Sequence, residues 1–205
     1  MGLNEQAISA ALNELAARDP RLARELARVG YPEPRIRDRG FATLLRTIVG
    51  QQVSVAAAAA IWRRLEERIG APPEPAALML LSDEVLRECG LSRQKAAYAR
   101  SLANHLASDR LHLAALPLDD EEAIALLTQV NGIGRWSAEL YLMFAEGRPD
   151  IWPAGDLAVR EGLGRILGLA ARPTEGEVRR MGEAWRPHRS ALALFTWHHY
   201  NTVVM

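Results

Sequence analysis

The sequence predicts an all-α protein, and three observations support that fold class. No segment between turn residues shows the strict alternation of apolar and polar side chains that is typical of a strand. Apolar residues instead recur at helical spacing, as Ile8, Leu12 and Leu15 do. Residues that cap and end helices occur along the whole chain. We therefore expect roughly ten short helices joined by brief loops.

Caps and stop signals justify the elements in order. Asp19 before Pro20 is an N-cap followed by proline at the first helical position, and Ser54 caps an alanine-rich segment. The "TEGE" run at 174–177 has the pattern of a capping box. The predicted helices cover 5–17, Pro20 to Gly30, 41–50, 55–69, Ser82 to Gly90, Ser92 to about Asp109, 120–128, 134 to about 146, 157–168, a helix that begins at the "TEGE" run, and 188–203.

Composition limits the classes of protein. The 205 residues are enough for one sizeable domain or two small ones, and no apolar run approaches the roughly 20 residues that span a bilayer. Residues 1–21 carry several charges, unlike a signal peptide, so we expect a cytoplasmic protein. Because the formal net charge is zero, a nucleic-acid surface would have to be local. The single cysteine, Cys89, excludes an internal disulfide and a four-cysteine zinc or iron–sulfur site.

The segment "QVNGIGRWSAELYLMF" at 129–144 places Gly132 and Gly134 directly before a run of helix formers. A helix N-terminus exposes unpaired N–H groups and a partial positive charge, and glycine lets an anion approach them closely. The alternative is a tight connection between two packed helices, which is the commoner origin of a bare G-x-G. A Rossmann phosphate loop is disfavoured because no predicted strand precedes the segment and the third glycine is missing.

Asp156 lies downstream of this hairpin, within "WPAGDLAVREGL". Small and kinked neighbours leave its carboxylate open. Its ordinary role would be to cap the helix predicted over 157–168. Capping and catalysis are compatible, because a capping carboxylate is held rigidly in place.

Four segments occur together in an informative order. They are "LLRTIVGQQVSVAAAAAIWRRL" at 44–65, "GLSRQKAAYARSLA" at 90–103, "VNGIGRWSAELYLMF" at 130–144 with Asp156 downstream, and "WRPHRSALALFTWHHY" at 185–200. The set resembles the helix-hairpin-helix (HhH-GPD) superfamily of DNA glycosylases, and within it the AlkA-like branch, 3-methyladenine DNA glycosylase II. The resemblance extends over about residues 15 to 203.

The resemblance implies an enzyme that initiates base excision repair on double-stranded DNA. Such an enzyme flips a damaged nucleotide into a cleft between two helical subdomains and cuts the N-glycosidic bond. One subdomain is expected at 38–148, with the helix-hairpin-helix at about 120–146, and the other from 1–37 plus 149–205. We expect a monomer that binds DNA containing damaged bases and does not associate with a membrane.

Site residues follow from the same resemblance. Asp156 occupies the position of the catalytic aspartate, and Gln52 that of a wedge residue that fills the gap left by the flipped base. Two of the residues expected at the base pocket are leucines where some relatives have tyrosines. The expected pocket residues are Trp136, Trp197, Leu140 and Leu157. Tyr141 and Trp152 are predicted to lie behind the pocket or, equally, to be ordinary core aromatics.

Contacts with the DNA backbone are expected mainly from the hairpin. Asn131 replaces a proline common in the family, but asparagine tolerates the left-handed turn. For Arg93 and Arg135 a solvated helix face is an equal alternative. The predicted contacts are Gly132, Ile133, Gly134, Arg135, Ser137, Arg93 and Lys95. No catalytic metal and no cofactor is expected, apart from a structural Na⁺ or K⁺ that the family often holds at hairpin carbonyls, here Thr128, Val130 and Ile133.

The chemistry of the reaction fits these residues. Cleavage of a deoxyribosyl N–C bond builds positive charge on the sugar, which a fixed carboxylate such as Asp156 would stabilise. The same carboxylate could orient or deprotonate the attacking water, and the sequence leaves both roles open. An alkylated purine carries a positive charge, so Trp136 and Trp197 could hold it by cation–π contact.

The lysine content predicts the type of glycosylase. Bifunctional relatives carry a lysine just after the hairpin that forms a Schiff base with the sugar, whereas this chain has Trp136 there. Its only lysine is Lys95. We therefore expect a monofunctional glycosylase that uses water and has no lyase activity. The alternatives are a glycosylase for oxidised or deaminated bases, a catalytically silent helix-hairpin-helix protein that binds DNA, and a helical protein-interaction domain.

Overall fold

The computed structural model of the protein describes residues 3–203 and is all-helical, which confirms the predicted fold class. This part of the chain contains twelve α-helices, one 3-10 turn at Glu183–Trp185 and no strand. None of the helices within it is long and apolar enough to cross a lipid bilayer. The helices are α1 (Glu5–Arg18), α2 (Pro20–Val29), α3 (Phe41–Gly50), α4 (Val55–Ile69), α5 (Pro75–Met79), α6 (Asp83–Glu88), α7 (Arg93–Ala107), α8 (Asp120–Leu127), α9 (Arg135–Phe144), α10 (Leu157–Leu167), α11 (Glu175–Gly182) and α12 (Arg189–Val203).

Polar caps begin many of these helices where the sequence predicts them. Asp19, Ser54 and Asp156 each accept backbone N–H groups from the first turn of the following helix. Thr174 and Glu177 form the predicted capping box of α11. Since a helix cannot pair its own first amides, these side chains set where each helix starts.

One short helix, α5, is not predicted by the sequence. It begins at Pro75, and the Glu74 side chain that precedes it makes no capping hydrogen bond within the described chain. Five residues are too few for a stable helix in isolation. The helix is stabilised by its packing on α7, where Leu78 is fully buried.

The described chain divides into two compact units, called here the central unit and the terminal unit. The central unit runs from Arg37 to Tyr141. The terminal unit combines the described residues up to Ile36 with those from Leu142 onward. Each unit has its own buried apolar core.

Helix α7 supports most of the central unit. It packs against α3, α5 and α6, while α3 also packs on α4. Leu44, Ile48 and Leu102 are completely buried in this core. The arrangement fixes the end of α3, from which the loop 51–54 leads into α4.

The terminal unit is built around the pair α10 and α12, with α1 and α2 beside them. Gly162 on α10 faces the backbone of Thr196 on α12, where an added Cβ would lie 2.4 Å from the carbonyl oxygen. Glycine therefore permits the close approach of the two helices. Leu163 and Phe195, next to this contact, are buried.

Candidate functional site

Asp156 is the N-cap of α10, as predicted, and three N–H groups hold its carboxylate. Its Oδ1 accepts the backbone amides of Ala158 at 2.9 Å and Val159 at 3.0 Å. The indole Nε1 of Trp197, on α12, donates to the same oxygen at 3.0 Å. The side chain is neither fully buried nor fully exposed. A carboxylate fixed in this way can act on a bound group without first reorganising.

Trp197 contacts more than the sequence predicts. Its ring is 7% exposed and packs on Phe144, with the ring centroids 5.9 Å apart. The guanidinium carbon of Arg35 lies 5.5 Å from the ring centroid, within cation–π range. Trp197 therefore contacts the Arg35 guanidinium with the face of its ring and the Asp156 carboxylate with its indole N–H. Leu157, next to Asp156, is 57% exposed, an unusual position for a large apolar side chain.

Trp136 and Leu140 lie together on the central unit, as two walls of a cavity of about 450 Å³. Gln51 and Val53, from the loop after α3, also line this cavity. Trp136 is 46% exposed, so much of its ring is accessible to solvent. The cavity is thus lined largely by apolar side chains, as ligand pockets commonly are.

Tyr141 and Trp152 are core residues, which was one of the two predicted alternatives. Each is 3% exposed. The Tyr141 hydroxyl accepts the backbone N–H of Gly40 at 2.9 Å, and the Trp152 indole donates to the Val178 carbonyl at 2.8 Å. Their polar atoms therefore serve the fold.

The hairpin between α8 and α9 is tightly built. Gly132 has φ of 91°, in the left-handed region, and an added Cβ would lie 2.3 Å from the Tyr98 ring. The Ile133 amide donates to the Val130 carbonyl at 3.0 Å within the turn. Asn131 donates its amide to the Ser101 hydroxyl at 3.1 Å. Backbone conformation and packing thus both require glycine at position 132.

Gly134 is a different case. Its φ lies outside the left-handed region, and no described atom beyond its chain neighbours lies within 4 Å of an added Cβ. It immediately precedes α9, and its carbonyl accepts the Ala138 amide. The fold leaves space beside this residue, as a site for close approach of a ligand to the backbone would.

The predicted phosphate contacts have contrasting surroundings. Arg135 forms ion pairs with Glu121 and with the buried Glu139 on its own helix. The hydrogen bonds to Glu121 raise the pKa of Arg135 above its ordinary value, and the charge of Glu139 adds to this. Ser137 is buried, whereas Arg93 is exposed at the first position of α7.

Lys95 supports the loop that carries Gln52. Its ammonium donates to the carbonyl of Val49, in the last turn of α3, at 2.8 Å. Burial lowers the pKa of this lysine. Gln52 itself is exposed and has φ of 53°, a rare conformation for a residue other than glycine.

The hairpin carbonyls of Thr128, Val130 and Ile133 are oxygen donors that suit a monovalent cation. The Val130 carbonyl also accepts the Ile133 amide, but a carbonyl oxygen has two lone pairs, so the two contacts are compatible. The residues present therefore fit Na⁺ or K⁺, whose binding stays a prediction. Across residues 3–203 no group of three or more His, Cys, Asp or Glu side chains could hold a metal ion.

The fold and the hairpin define the class of protein. Residues 45–187 match the family model of the HhH-GPD superfamily base excision DNA repair proteins. The chain belongs to this family, which confirms the predicted resemblance.

Individual relatives agree with the family. The chain is 34% identical over 161 residues to DNA-3-methyladenine glycosylase 1 of Schizosaccharomyces pombe, an alignment that covers 77% of this chain and 71% of the relative. A DNA-3-methyladenine glycosidase from Bacillus halodurans superposes with a TM-score of 0.87 at 31% identity, over 95% of this chain and 90% of that one. The S. pombe 3-methyladenine DNA glycosylase in complex with abasic DNA superposes with a TM-score of 0.80 at 31% identity, over 96% and 97% of the two chains.

Proposed function

We propose that this protein is a DNA glycosylase that excises alkylated bases, of the 3-methyladenine and 7-methylguanine type, from double-stranded DNA. The observation that carries the proposal is the Asp156 carboxylate, held by two backbone amides and the Trp197 indole, in a chain of the base excision repair family. Similar proteins named for 3-methyladenine support the choice of lesion.

Asp156 would act on the sugar. As the bond between the base and C1′ breaks, the base leaves with the bonding electrons and positive charge develops on the sugar. The fixed carboxylate stabilises that charge, or positions the water whose oxygen bonds to C1′ and whose proton is released. An alkylated purine is already cationic, so it leaves as a neutral base without prior protonation.

The hairpin would hold the DNA strand. The open space beside Gly134, at the start of α9, supports a phosphate bound by backbone amides there. Gln52 would take the place of the extruded nucleotide. In this assignment Arg135 braces the hairpin through Glu121 and Glu139, and Arg93 is the stronger candidate for a side-chain contact with phosphate.

Trp136, which lines the cavity and is 46% exposed, would contact the base. A cation over a tryptophan ring gains about 0.5–2 kcal/mol, more when it is desolvated. Extrusion of a damaged base costs a few kcal/mol, and less when its pairing is weakened. We therefore infer that a cavity walled by Trp136 and Leu140 admits several alkylated bases, whose stacking on Trp136 has to offset the charges of Arg37 and Arg46 in the same lining.

We infer further that the enzyme has no lyase activity. The only lysine in the chain is Lys95, whose ammonium donates to the Val49 carbonyl. Incubation with abasic or alkylated DNA and borohydride tests this inference. We expect no covalent adduct between protein and DNA, and a trapped adduct would show that an amine attacks the sugar.

The central test is release of methylated purines from alkylated DNA by Asp156→Asn. Asparagine caps helices about as well as aspartate, so α10 should persist. We expect release to fall by roughly 100-fold or more while affinity for abasic duplex stays within about twofold. Asp19→Asn, at the capping aspartate of α2 in the same unit, is the matched control and should keep full activity.

Several outcomes would overturn parts of the proposal. Unchanged turnover in Asp156→Asn would remove this residue from the mechanism. Wild-type activity on oxidised or deaminated bases in an oligonucleotide panel, with none on methylated purines, would change the substrate class. Salt-sensitive DNA binding without release of any base would make the chain a binding protein, and no duplex binding at all would favour a protein-interaction domain.

A further inference from the structure

A side-chain hydrogen bond ties the loop after α3 to the hairpin. The Nε2 of Gln51 donates to the carbonyl of Gly132 at 2.8 Å, across 81 positions of sequence. Gln51 is partly buried and is the C-cap of α3. The bond therefore joins two segments of the central unit that are far apart in sequence.

Both ends of this bond are held by α7. Tyr98 packs against Gly132, and the Ser101 hydroxyl accepts the Asn131 amide. On the other side, Lys95 donates to the last turn of α3. Helix α7 thus holds the hairpin and the end of α3 at a fixed separation, and the Gln51 side chain adds a direct hydrogen bond between them.

The next residue, Gln52, occupies a strained backbone conformation. Its φ of 53° lies in the left-handed region, which costs a residue with a Cβ roughly 1–2 kcal/mol. Such a conformation persists only where its surroundings impose it. The Gln51 bond is the anchor immediately before it in the chain.

We propose that Gln51 is a positioning residue that couples the hairpin to Gln52. Binding of the DNA strand by the hairpin then also positions Gln52, the residue that is inserted into the DNA. The inference rests on the proposed function, because it assumes that the hairpin binds phosphate and that Gln52 enters the DNA. Gln51 acts through its amide donor on Gly132 and through the backbone it shares with Gln52.

A double-mutant cycle of Gln51→Leu and Gln52→Ala tests the coupling. Leucine has a similar length and cannot donate a hydrogen bond. We expect Gln51→Leu alone to lower kcat/KM on alkylated duplex and affinity for abasic duplex by about 3- to 10-fold. In the Gln52→Ala background we expect the same change to add less than about twofold, because the residue that Gln51 positions is gone.

Gln51→Glu and Gln6→Leu are the comparison variants. Glutamate keeps the shape of glutamine but replaces the donor by an acceptor facing the Gly132 carbonyl, so it should lose at least as much as leucine. Gln6, exposed on α1, should tolerate leucine without loss. An equal loss from Gln51→Leu in both backgrounds would overturn the proposal and indicate that Gln51 acts independently, for example by touching the base in the cavity it lines.

Amide hydrogen exchange without DNA separates this proposal from the proposed function. We expect Gln51→Leu to speed exchange both in the loop 51–54 and in the hairpin 130–134, with the rest of the central unit unchanged. No change in either segment would refute the coupling even if the enzyme excises alkylated bases. If exchange rises in both but the wild type releases no base, the coupling stands and the proposed function fails.

Discussion

At the scale of single residues, the Asp156 carboxylate is held in place by several N–H groups. Two of the donors described above belong to the backbone of α10 and are kept by any substitution other than proline, whereas another is the Trp197 indole. Trp197 is therefore the one side chain among these donors through which the position of the carboxylate can be changed. Its ring is buried against Phe144. A substitution that keeps an aromatic ring but removes the indole N–H therefore separates the packing of Trp197 from its hydrogen bond.

Trp197→Phe should slow the chemical step while leaving DNA binding intact. Phenylalanine keeps most of the buried ring but lacks the indole N–H, and a hydrogen bond to a charged group is worth about 1.5–3 kcal/mol. We expect kcat for release of methylated purine to fall by about 10- to 100-fold, with little change in affinity for abasic duplex, measured by single-turnover kinetics and fluorescence anisotropy.

Trp185→Phe provides the matched control. Trp185 also belongs to the terminal unit, packs on Trp152 and, like Trp197, is 7% exposed. It should show a comparable change in melting temperature without the loss of kcat. Equal loss of activity in both variants would attribute the effect of Trp197 to packing alone.

At the scale of single residues, the sequence predicts which residue types form the site better than it predicts which other residues they contact. The motif around Asp156 marks it as a cap and, through the family resemblance, as a catalytic candidate. The hydrogen bond from Trp197 spans 41 positions and the contact of Arg35 with the same ring spans more. No local pattern encodes such contacts, because they depend on how α10 and α12 pack.

Among the structural elements, the hairpin between α8 and α9 contains two glycines whose surroundings differ. Gly132 is required by its left-handed φ and by the Tyr98 ring, whereas Gly134 has open space beside it in the described structure. Since the fold does not require a glycine at position 134, close approach of a ligand to this backbone is a testable explanation for it. We therefore predict that position 132 serves folding and that position 134 serves DNA binding.

Gly132→Ala and Gly134→Ser should have opposite effects. Alanine at 132 collides with Tyr98 and is strained, so we expect destabilisation by about 1–3 kcal/mol, seen as a lower melting temperature. Serine at 134 is a good N-cap for α9, so stability should be kept or improved. Its added atoms should nevertheless weaken affinity for abasic duplex by about tenfold, if a phosphate approaches this amide.

The melting temperature reports stability and the affinity for abasic duplex reports binding. Each of the two variants therefore serves as the control for the other. A Gly134→Ser protein that binds abasic duplex like the wild type would move the phosphate site away from this helix start. A Gly132→Ala protein with an unchanged melting temperature would mean that the turn relaxes past Tyr98.

The elements were predictable where their signals are local. Caps at Asp19, Ser54 and Thr174 set helix starts that the structure reproduces. Helix α5 was missed because packing rather than capping stabilises it. Arg135 illustrates the same limit in the hairpin, since an arginine after G-x-G resembles a phosphate ligand until Glu121 and Glu139 are placed beside it.

For the whole molecule, charge balance governs the encounter with DNA. Positive and negative side chains are equal in number, at 25 each. Many arginines also pair with carboxylates, as Arg186 and Arg189 do with Asp150. Such ion pairs lower the number of cations that can replace the counterions of DNA, and backbone amides carry no net charge.

We expect a shallow dependence of DNA affinity on salt. Neutralisation of roughly two or three phosphates predicts a slope of log affinity against log salt of about −2 to −3. Between 50 and 200 mM salt, affinity for abasic duplex should then fall by about 16- to 64-fold. Arg93→Gln should reduce the slope by about one unit, and Arg63→Gln, which removes an exposed cation of α4, should leave it unchanged. A loss of 1000-fold over this range would require a much larger basic surface.

Arg35, lying over the Trp197 ring, has a consequence for turnover. A neutral free base that stacked on this ring would have to displace the guanidinium and lose its cation–π contact, so the net gain in free energy would be small. Product inhibition through Trp197 by free methylated adenine should accordingly be weak. Arg35→Ala would vacate the ring face, and we expect the free base to inhibit that variant several-fold more strongly in a steady-state assay.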